Sequence, residues 1–128
     1  MLFPSPQEVN RMSATIQNDI GKIIFSDDIL KQMIGYAATE SYGVVGMATK
    51  SAADGISGLL GRESLSKGVK ISSDQENEIN AELYIVVKYG MSLQTVAENI
   101  IEHVKYVIKE NTSLEVNSVN VFIQGIRA

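Results

Sequence analysis

The chain contains no cysteine and no tryptophan, and its only histidine is His103. Without cysteine it can form no disulfide, no thiolate metal site and no cysteine nucleophile, which fits a protein of a reducing compartment. His103 lies on the polar side of a predicted helix, with no second ligand type at metal-binding spacing. We therefore expect no metal, no cofactor and no catalytic group here, and we interpret His103 as a surface residue.

Motifs for phosphate or acyl chemistry are also missing. The glycine-rich stretch 55–62 lacks the Gly-Lys-Ser/Thr ending of a phosphate-binding loop, and no strong strand leads into it. A serine triad would have to recruit His103, and the carboxylates are scattered over caps, turns and solvated faces. The sequence therefore predicts a protein that is not an enzyme.

Neither the charge nor the apolar runs indicate a nucleic acid or a lipid bilayer as a direct partner. The net charge of −4 and the isoelectric point near 4.9 oppose binding to phosphate backbones or anionic lipids. The longest apolar run, 83–87, is far shorter than the ~20 residues that a membrane helix needs. Residues 1–6 lack the basic and apolar regions of a secretory signal. We expect a cytoplasmic protein without direct membrane insertion.

The composition supports one globular domain. A chain of 128 residues with 45% hydrophobic and 20% charged residues is long enough and apolar enough to build a single core. Residues 1–14 include Pro4 and Pro6 and show no sustained apolar period, so they are predicted to be a flexible tail before a domain at 15–128. Both Met1 and Met12 remain candidates for the natural start.

Apolar periodicity and turn residues predict an α+β single domain, with a mixed β-sheet and two main helices packed on one face. Ser26 is the predicted N-cap of the first helix, which ends before Gly43. The order is β-α-β-(α)-β-β-α-β, with these elements: strand 17–25 with Ile20 and Ile23 or Ile24 buried, helix 27–41, strand 44–48, a weak helix within 50–68, strands 69–73 and 79–89, a long helix from 93 to 109 with Asn111 as its left-handed cap, and strand 116–126.

The candidate functional feature is a protein-contact surface. In strand 79–89 the odd positions are apolar and are predicted to face the core, so Tyr84 and Val86 point to the opposite, open side of the sheet. Phe122 on the last strand is placed likewise. If the helices cover one face only, these three side chains form an exposed cluster of the kind that marks a protein contact.

A second part of the candidate surface is the weak helix, whose apolar side chains include Ile56, Leu59 and Leu60. A segment of low local stability could become ordered on a partner. The same segment could instead be a lid that completes the core, or it could fold over the open face of the sheet. The sequence leaves these alternatives open.

Four short motifs stand in a fixed order along the chain. They are Gly21-Lys22-Ile23, Tyr42-Gly43-Val44-Val45-Gly46-Met47, Val87-Lys88-Tyr89-Gly90 and Val116-Asn117-Ser118-Val119-Asn120-Val121-Phe122-Ile123-Gln124-Gly125. Together they resemble the alkaline shock, or general stress, protein family of Gram-positive bacteria, over about 19–127. The segment 50–69 resembles in particular the YloU-like branch, which is usually encoded beside a fatty-acid kinase.

The resemblance implies a non-catalytic protein of the envelope stress response or envelope homeostasis. It implies self-association and, in some members, attachment to the membrane through a separate anchor protein. An alternative is a small-ligand regulator that holds an acyl or lipid-derived group between the long helix and the sheet, linked to fatty-acid metabolism. A cavity beneath Ile100, Val104 and Leu83 would favour the ligand regulator, whereas close packing there would favour the contact protein.

Overall fold

A computed structural model describes residues 13–49, 59–73, 75 and 77–128. Its elements are β1 Ser13–Asn18, β2 Gly21–Ser26, α1 Asp27–Glu40, β3 Val44–Met47, a 3₁₀ helix Arg62–Gly68, β4 Val69–Ser72, β5 Glu78–Lys88, α2 Leu93–Thr112 and β6 Glu115–Arg127. The predicted α+β single domain is confirmed. The predicted tail at 1–14 lies almost entirely outside the described residues and stays a prediction.

The first predicted strand, 17–25, is wrong as a single element, because the chain reverses in its middle. β1 and β2 form an antiparallel hairpin that is a separate two-stranded sheet. The side chain of Asn18 closes the turn: its Oδ1 accepts hydrogen bonds of 2.9 Å from the backbone N–H groups of Ile20 and Gly21. Such a local side-chain bond is the usual reason that asparagine starts a turn.

The burial predicted for this region is also wrong. Ile20 is 95% exposed, Ile23 52% and Ile24 63%, because the hairpin extends beyond the core and only a few of its side chains pack against it. The anchor consists of Ala14, which is buried, together with Ile16 and Phe25, which are partly buried against the core.

Helix α1 begins where the sequence predicts. The Ser26 hydroxyl accepts a 3.2 Å hydrogen bond from the backbone N–H of Ile29, and two aspartates occupy the first turn, where the helix dipole favours negative charge. After the helix, Gly43 adopts a φ of +90°, and a Cβ atom there would lie 2.7 Å from Cγ2 of Val96. Glycine is therefore required by both the backbone conformation and the approach of α2.

The main sheet is built around β5. β6 pairs with β5 in parallel along its whole length, which leaves the other edge of β5 to the two short strands. β4 pairs there with the first half of β5 and β3 with the second half, both antiparallel. Helix α2 connects β5 to β6, as a parallel pair requires.

The core lies between this sheet and the two helices. The inward positions of β5 are at most 1% exposed, as predicted: Ile79, Ala81, Leu83, Ile85 and Val87. Helix α2 contributes Val96, Ile100, Val104 and Ile108. The predicted cap of α2 is wrong by two residues, because Ser113 adopts the left-handed conformation while Asn111 stays helical and donates to the Val107 carbonyl.

Candidate functional site

The open face of the main sheet, opposite the helices, divides into two halves of different chemistry. The polar half consists of Lys70, Ser72, Asn80, Glu82, Ser118 and Asn120, and the apolar half consists of Ala48, Leu59, Tyr84, Val86 and Phe122. Both halves follow from strand alternation, since successive side chains of β5 point to opposite faces. The predicted contact residues on the strands therefore do share one face.

Within the apolar half, the predicted exposure is wrong for Tyr84 and Val86, which are 3% and 8% exposed. The Phe122 ring stacks on the Tyr84 ring, with 4.9 Å between centroids, and Leu59 packs against Val86. The rings meet because Tyr84 and Phe122 are direct partners in the parallel register. Phe122 itself remains 42% exposed and forms the accessible rim of this half.

The end of the weak-helix segment contributes to both faces. The backbone N–H of Leu60 donates a 3.0 Å hydrogen bond to the Met47 carbonyl, which attaches this stretch to β3. The Leu60 side chain then packs on the main core, while Leu59 packs on the open face. At residues 59 and 60, Leu60 therefore completes the core and Leu59 covers part of the open face of the sheet. Ile56, the third predicted residue, lies outside the described residues.

An open groove of about 370 Å³ lies between α1 and β3. Its wall includes Tyr36, Glu40, Val45 and Arg62, and the Arg62 guanidinium carbon lies 5.7 Å from the centre of the Tyr36 ring. A cation and an aromatic ring attract each other at this distance, so the contact stabilises this wall of the groove.

A groove of about 310 Å³ crosses the polar half of the open face. One polar side chain of its lining, Asn80, is hydrogen-bonded to neighbours on β6. Asn80 Oδ1 accepts hydrogen bonds from Ser118 Oγ at 2.8 Å and from Asn117 Nδ2 at 3.3 Å. These bonds stabilise the junction of β5 and β6 and satisfy the Asn80 carbonyl oxygen.

His103 lies on the surface between the helices, with 39% of its side chain exposed. Its Nε2 lies 3.6 Å from Oε1 of Glu40, a carboxylate that is itself 68% exposed. At that distance and exposure the pair is a weak surface contact. Among the described residues no cluster of three or more histidine, aspartate or glutamate side chains could hold a metal ion.

The exposed isoleucines of the β1–β2 hairpin are the contact candidates that sequence reasoning missed. Ile20 and one of Ile23 and Ile24 were expected in the core, yet all three expose more than half of their surface. The turn signal was present, because Asn18, Asp19 and Gly21 lie within four consecutive residues of the predicted strand. Reading a hairpin there would have placed the isoleucines on a projecting element.

The fold within the described ranges includes no helix that combines the length and the apolar character of a membrane span. Among solved structures, the chain is similar to the chain titled "MamM-CTD H285A", at 18% identity over 77% of this chain and 95% of that chain, with a TM-score of 0.45. A likeness at this level is too distant to inform function.

Sequence relatives are much closer. YloU of Bacillus subtilis (strain 168) is 37% identical over 117 residues, covering 91% of this chain and 97% of YloU. Spy1614 of Streptococcus pyogenes serotype M6 is 38% identical over 117 residues, covering 91% of this chain and 96% of the relative. A model of the alkaline shock protein 23 family, described by a cell envelope-related function, matches residues 15–128. The chain therefore belongs to the alkaline shock protein 23 family, as its motifs predicted.

Proposed function

We propose that this protein is a non-catalytic, cytoplasmic component of envelope homeostasis and the envelope stress response, which acts by contact with other proteins and with copies of itself. The family supports the envelope role in general terms. The observation that carries the contact role is the projecting β1–β2 hairpin, on which Ile20, Ile23 and Ile24 are 95%, 52% and 63% exposed.

The hairpin has the properties of a docking element. A two-stranded hairpin alone is marginally stable in water, and this one is attached to the core by Ala14, Ile16 and Phe25. Ile23 and Ile24 are consecutive strand residues and face opposite sides of the hairpin, and Ile20 lies at its turn, so this one element exposes apolar side chains on both faces. Apolar exposure concentrated on one projecting element favours an interaction site. Burial of each isoleucine by a partner would contribute roughly 1.5–3 kcal/mol to the binding free energy, before the entropy cost of association is subtracted.

The proposed partner is an envelope-associated or membrane-anchor protein. A chain with a net charge of −4 is repelled by anionic lipid headgroups, so recruitment to the membrane is more favourable through a protein than through direct lipid contact. An apolar hairpin suits this role, because its contact with a protein groove does not depend on the charge of either surface.

The alternative function, binding of an acyl or lipid-derived ligand, requires space between α2 and the sheet. Ile100, Val104 and Leu83 are each 0% exposed and belong to one packed cluster. Neither groove described above is lined by any of the three. Close packing at this position supports the contact function over the ligand function.

The test exchanges the chromosomal gene for variant genes in the bacterium that encodes this protein. The three hairpin isoleucines are changed to threonine, which keeps the β-branched shape that suits a strand. Tyr106→Ser, at a 62% exposed position on α2, is the matched control for loss of exposed apolar surface. We expect deletion and the hairpin variant to reduce survival under a cell-wall antibiotic equally, and the control to survive as the wild type does.

Two results would contradict the proposal. Unchanged survival of the deletion strain would exclude the envelope role. Full survival of the hairpin variant, with the deletion strain impaired, would exclude the hairpin as the functional contact.

A further inference from the structure

The outer edge of β6 is a long, unblocked strand edge. β6 has 13 residues and, among the described strands, pairs only with β5. Its other edge therefore presents backbone N–H and C=O groups that no described strand takes up. Edges of this length are usually protected by a covering element, proline, lysine or β-bulges; β6 contains no proline or lysine, and of these devices the described part of the chain gives it only two register shifts.

The inward-facing side chains of β6 have a symmetric spacing. Register shifts beside Ile79 and Ile85 insert an extra residue into β6 on either side of its centre. The positions that share the inner face with the β5 core residues are Val116, Val119, Val121, Ile123 and Ile126. In both directions from Val121, the next inward position is two residues away and the one after it is three residues further.

This symmetry makes the edge complementary to itself. If a second copy lies antiparallel, with Val121 opposite its own counterpart, then Val119 meets Ile123 and Val116 meets Ile126. Apolar side chains thus face apolar side chains along the whole inner face, and a slip by one residue would destroy the match. Ile126, which is 51% exposed in the single chain, gains a neighbour in this arrangement.

The charges at the two ends of β6 are complementary as well. At its start Glu115 pairs in register with Glu78, and at its end Arg127 pairs with Lys88. The antiparallel arrangement sets each acidic end beside the basic end of the other copy, and Glu115 directly opposite Arg127. Lys109 already contacts Glu115 within the chain, so the two copies would form a three-membered charge network.

We propose that two copies of this chain pair antiparallel along the outer edges of β6, around a two-fold axis at Val121, and so form one continuous sheet. The proposal rests on the self-contact part of the proposed function and names its surface and register. Rotation about an axis perpendicular to the sheet keeps the helices of both copies on the same side, so the two inner faces join without a break.

The first test is a charge exchange measured by sedimentation equilibrium. Glu115→Arg and Arg127→Glu should each raise the dimer dissociation constant about ten-fold, because each converts two symmetric attractions into repulsions. The double variant carrying both changes should recover most of the wild-type affinity. Equal loss in the double variant, or no effect of either single change, would overturn the register.

The second test uses the absence of cysteine in the chain. In Val121→Cys the two thiols would lie on opposite strands at a Cα separation of about 4.5–5.5 Å, which a disulfide can bridge. In the control Ile123→Cys the same thiols would be separated by four residues, about 13 Å along the strand. Oxidation should yield a covalent dimer of the first variant only.

The outcomes separate this proposal from the broader one. Self-association without cross-linking of Val121→Cys, and without response to charge exchange, would refute the β6 register while leaving self-contact in place. A monomer at about 100 μM, far above ordinary dissociation constants of specific dimers, would refute both the β6 pairing and self-contact. Contact through the hairpin would be unaffected by that result.

Discussion

The aromatic rings of Tyr84 and Phe122 lie nearly parallel, 4.9 Å apart between centroids and inclined by 14°, across the junction of β5 and β6. Their burial differs greatly, at 3% exposure for Tyr84 and 42% for Phe122. The pair thus joins a residue of the folded core to a residue of the accessible surface, and the two should respond differently to substitution.

Tyr84→Ala should lower the free energy of unfolding by about 3 kcal/mol, because it empties a buried aromatic site. Phe122→Ala should lower it by about 1 kcal/mol, since that ring loses a stacking partner and only part of its burial. Urea denaturation followed by circular dichroism measures both. Equal losses for the two variants would contradict the burial difference.

Gly43→Ala and Gly90→Ala form a matched pair, because both glycines have a positive φ, of +90° and +91°. A Cβ atom at Gly90 would meet nothing within 4 Å, whereas one at Gly43 would lie 2.7 Å from Val96. Gly90→Ala should therefore lower the free energy of unfolding by only about 1 kcal/mol, because of backbone strain. Gly43→Ala should lower it by about 2–3 kcal/mol, because strain and overpacking act together. Thermal unfolding of the two variants tests the difference, and a smaller loss at Gly43 would disprove it.

Ser26→Ala should lower the free energy of unfolding by about 1 kcal/mol, because the first turn of α1 loses its capping hydroxyl. Ser72→Ala, on the exposed face of β4, is the control and should change stability by less than about 0.5 kcal/mol. Guanidinium melts of both variants measure the contrast. A control that loses as much as the cap variant would show that the effect is not capping.

Patterns that depend on neighbouring residues were predictable from the sequence. The alternation in β5 placed Leu83, Ile85 and Val87 in the core, and the spacing in α2 placed Ile100 and Val104 there. In each of these elements the apolar residues recur at one regular spacing over many consecutive residues. No distant residue is therefore needed to decide which face is buried.

Features that depend on distant residues were not predictable. The alternation gave the correct direction for Tyr84 and Val86 but not their burial, which depends on Phe122 and Leu59 from other parts of the chain. The hairpin is a different case, because its turn residues Asn18, Asp19 and Gly21 are local and could have indicated that Ile20 lies at its tip. The β6 edge became visible only when its register with β5 was known.

The segment 50–68 is predicted from its glycines to be the least stable ordered part of the chain. Within its described end, the 3₁₀ helix Arg62–Gly68 has poorer hydrogen-bond geometry than an α-helix, although Leu65 is buried. Its amides should exchange with solvent faster than those of α2, as measured by hydrogen exchange and mass spectrometry. Protection equal to that of α2 would contradict this prediction.

The central claim is that the protein works through contacts made by its hairpin, and photo-crosslinking in growing cells tests this most directly. A photoreactive amino acid is placed at Ile23, which is 52% exposed, and in a parallel strain at Tyr106, which is 62% exposed. The account predicts discrete protein adducts from Ile23, with an envelope-associated protein among them, and none from Tyr106. No adduct at Ile23, or the same adducts from both positions, would contradict it.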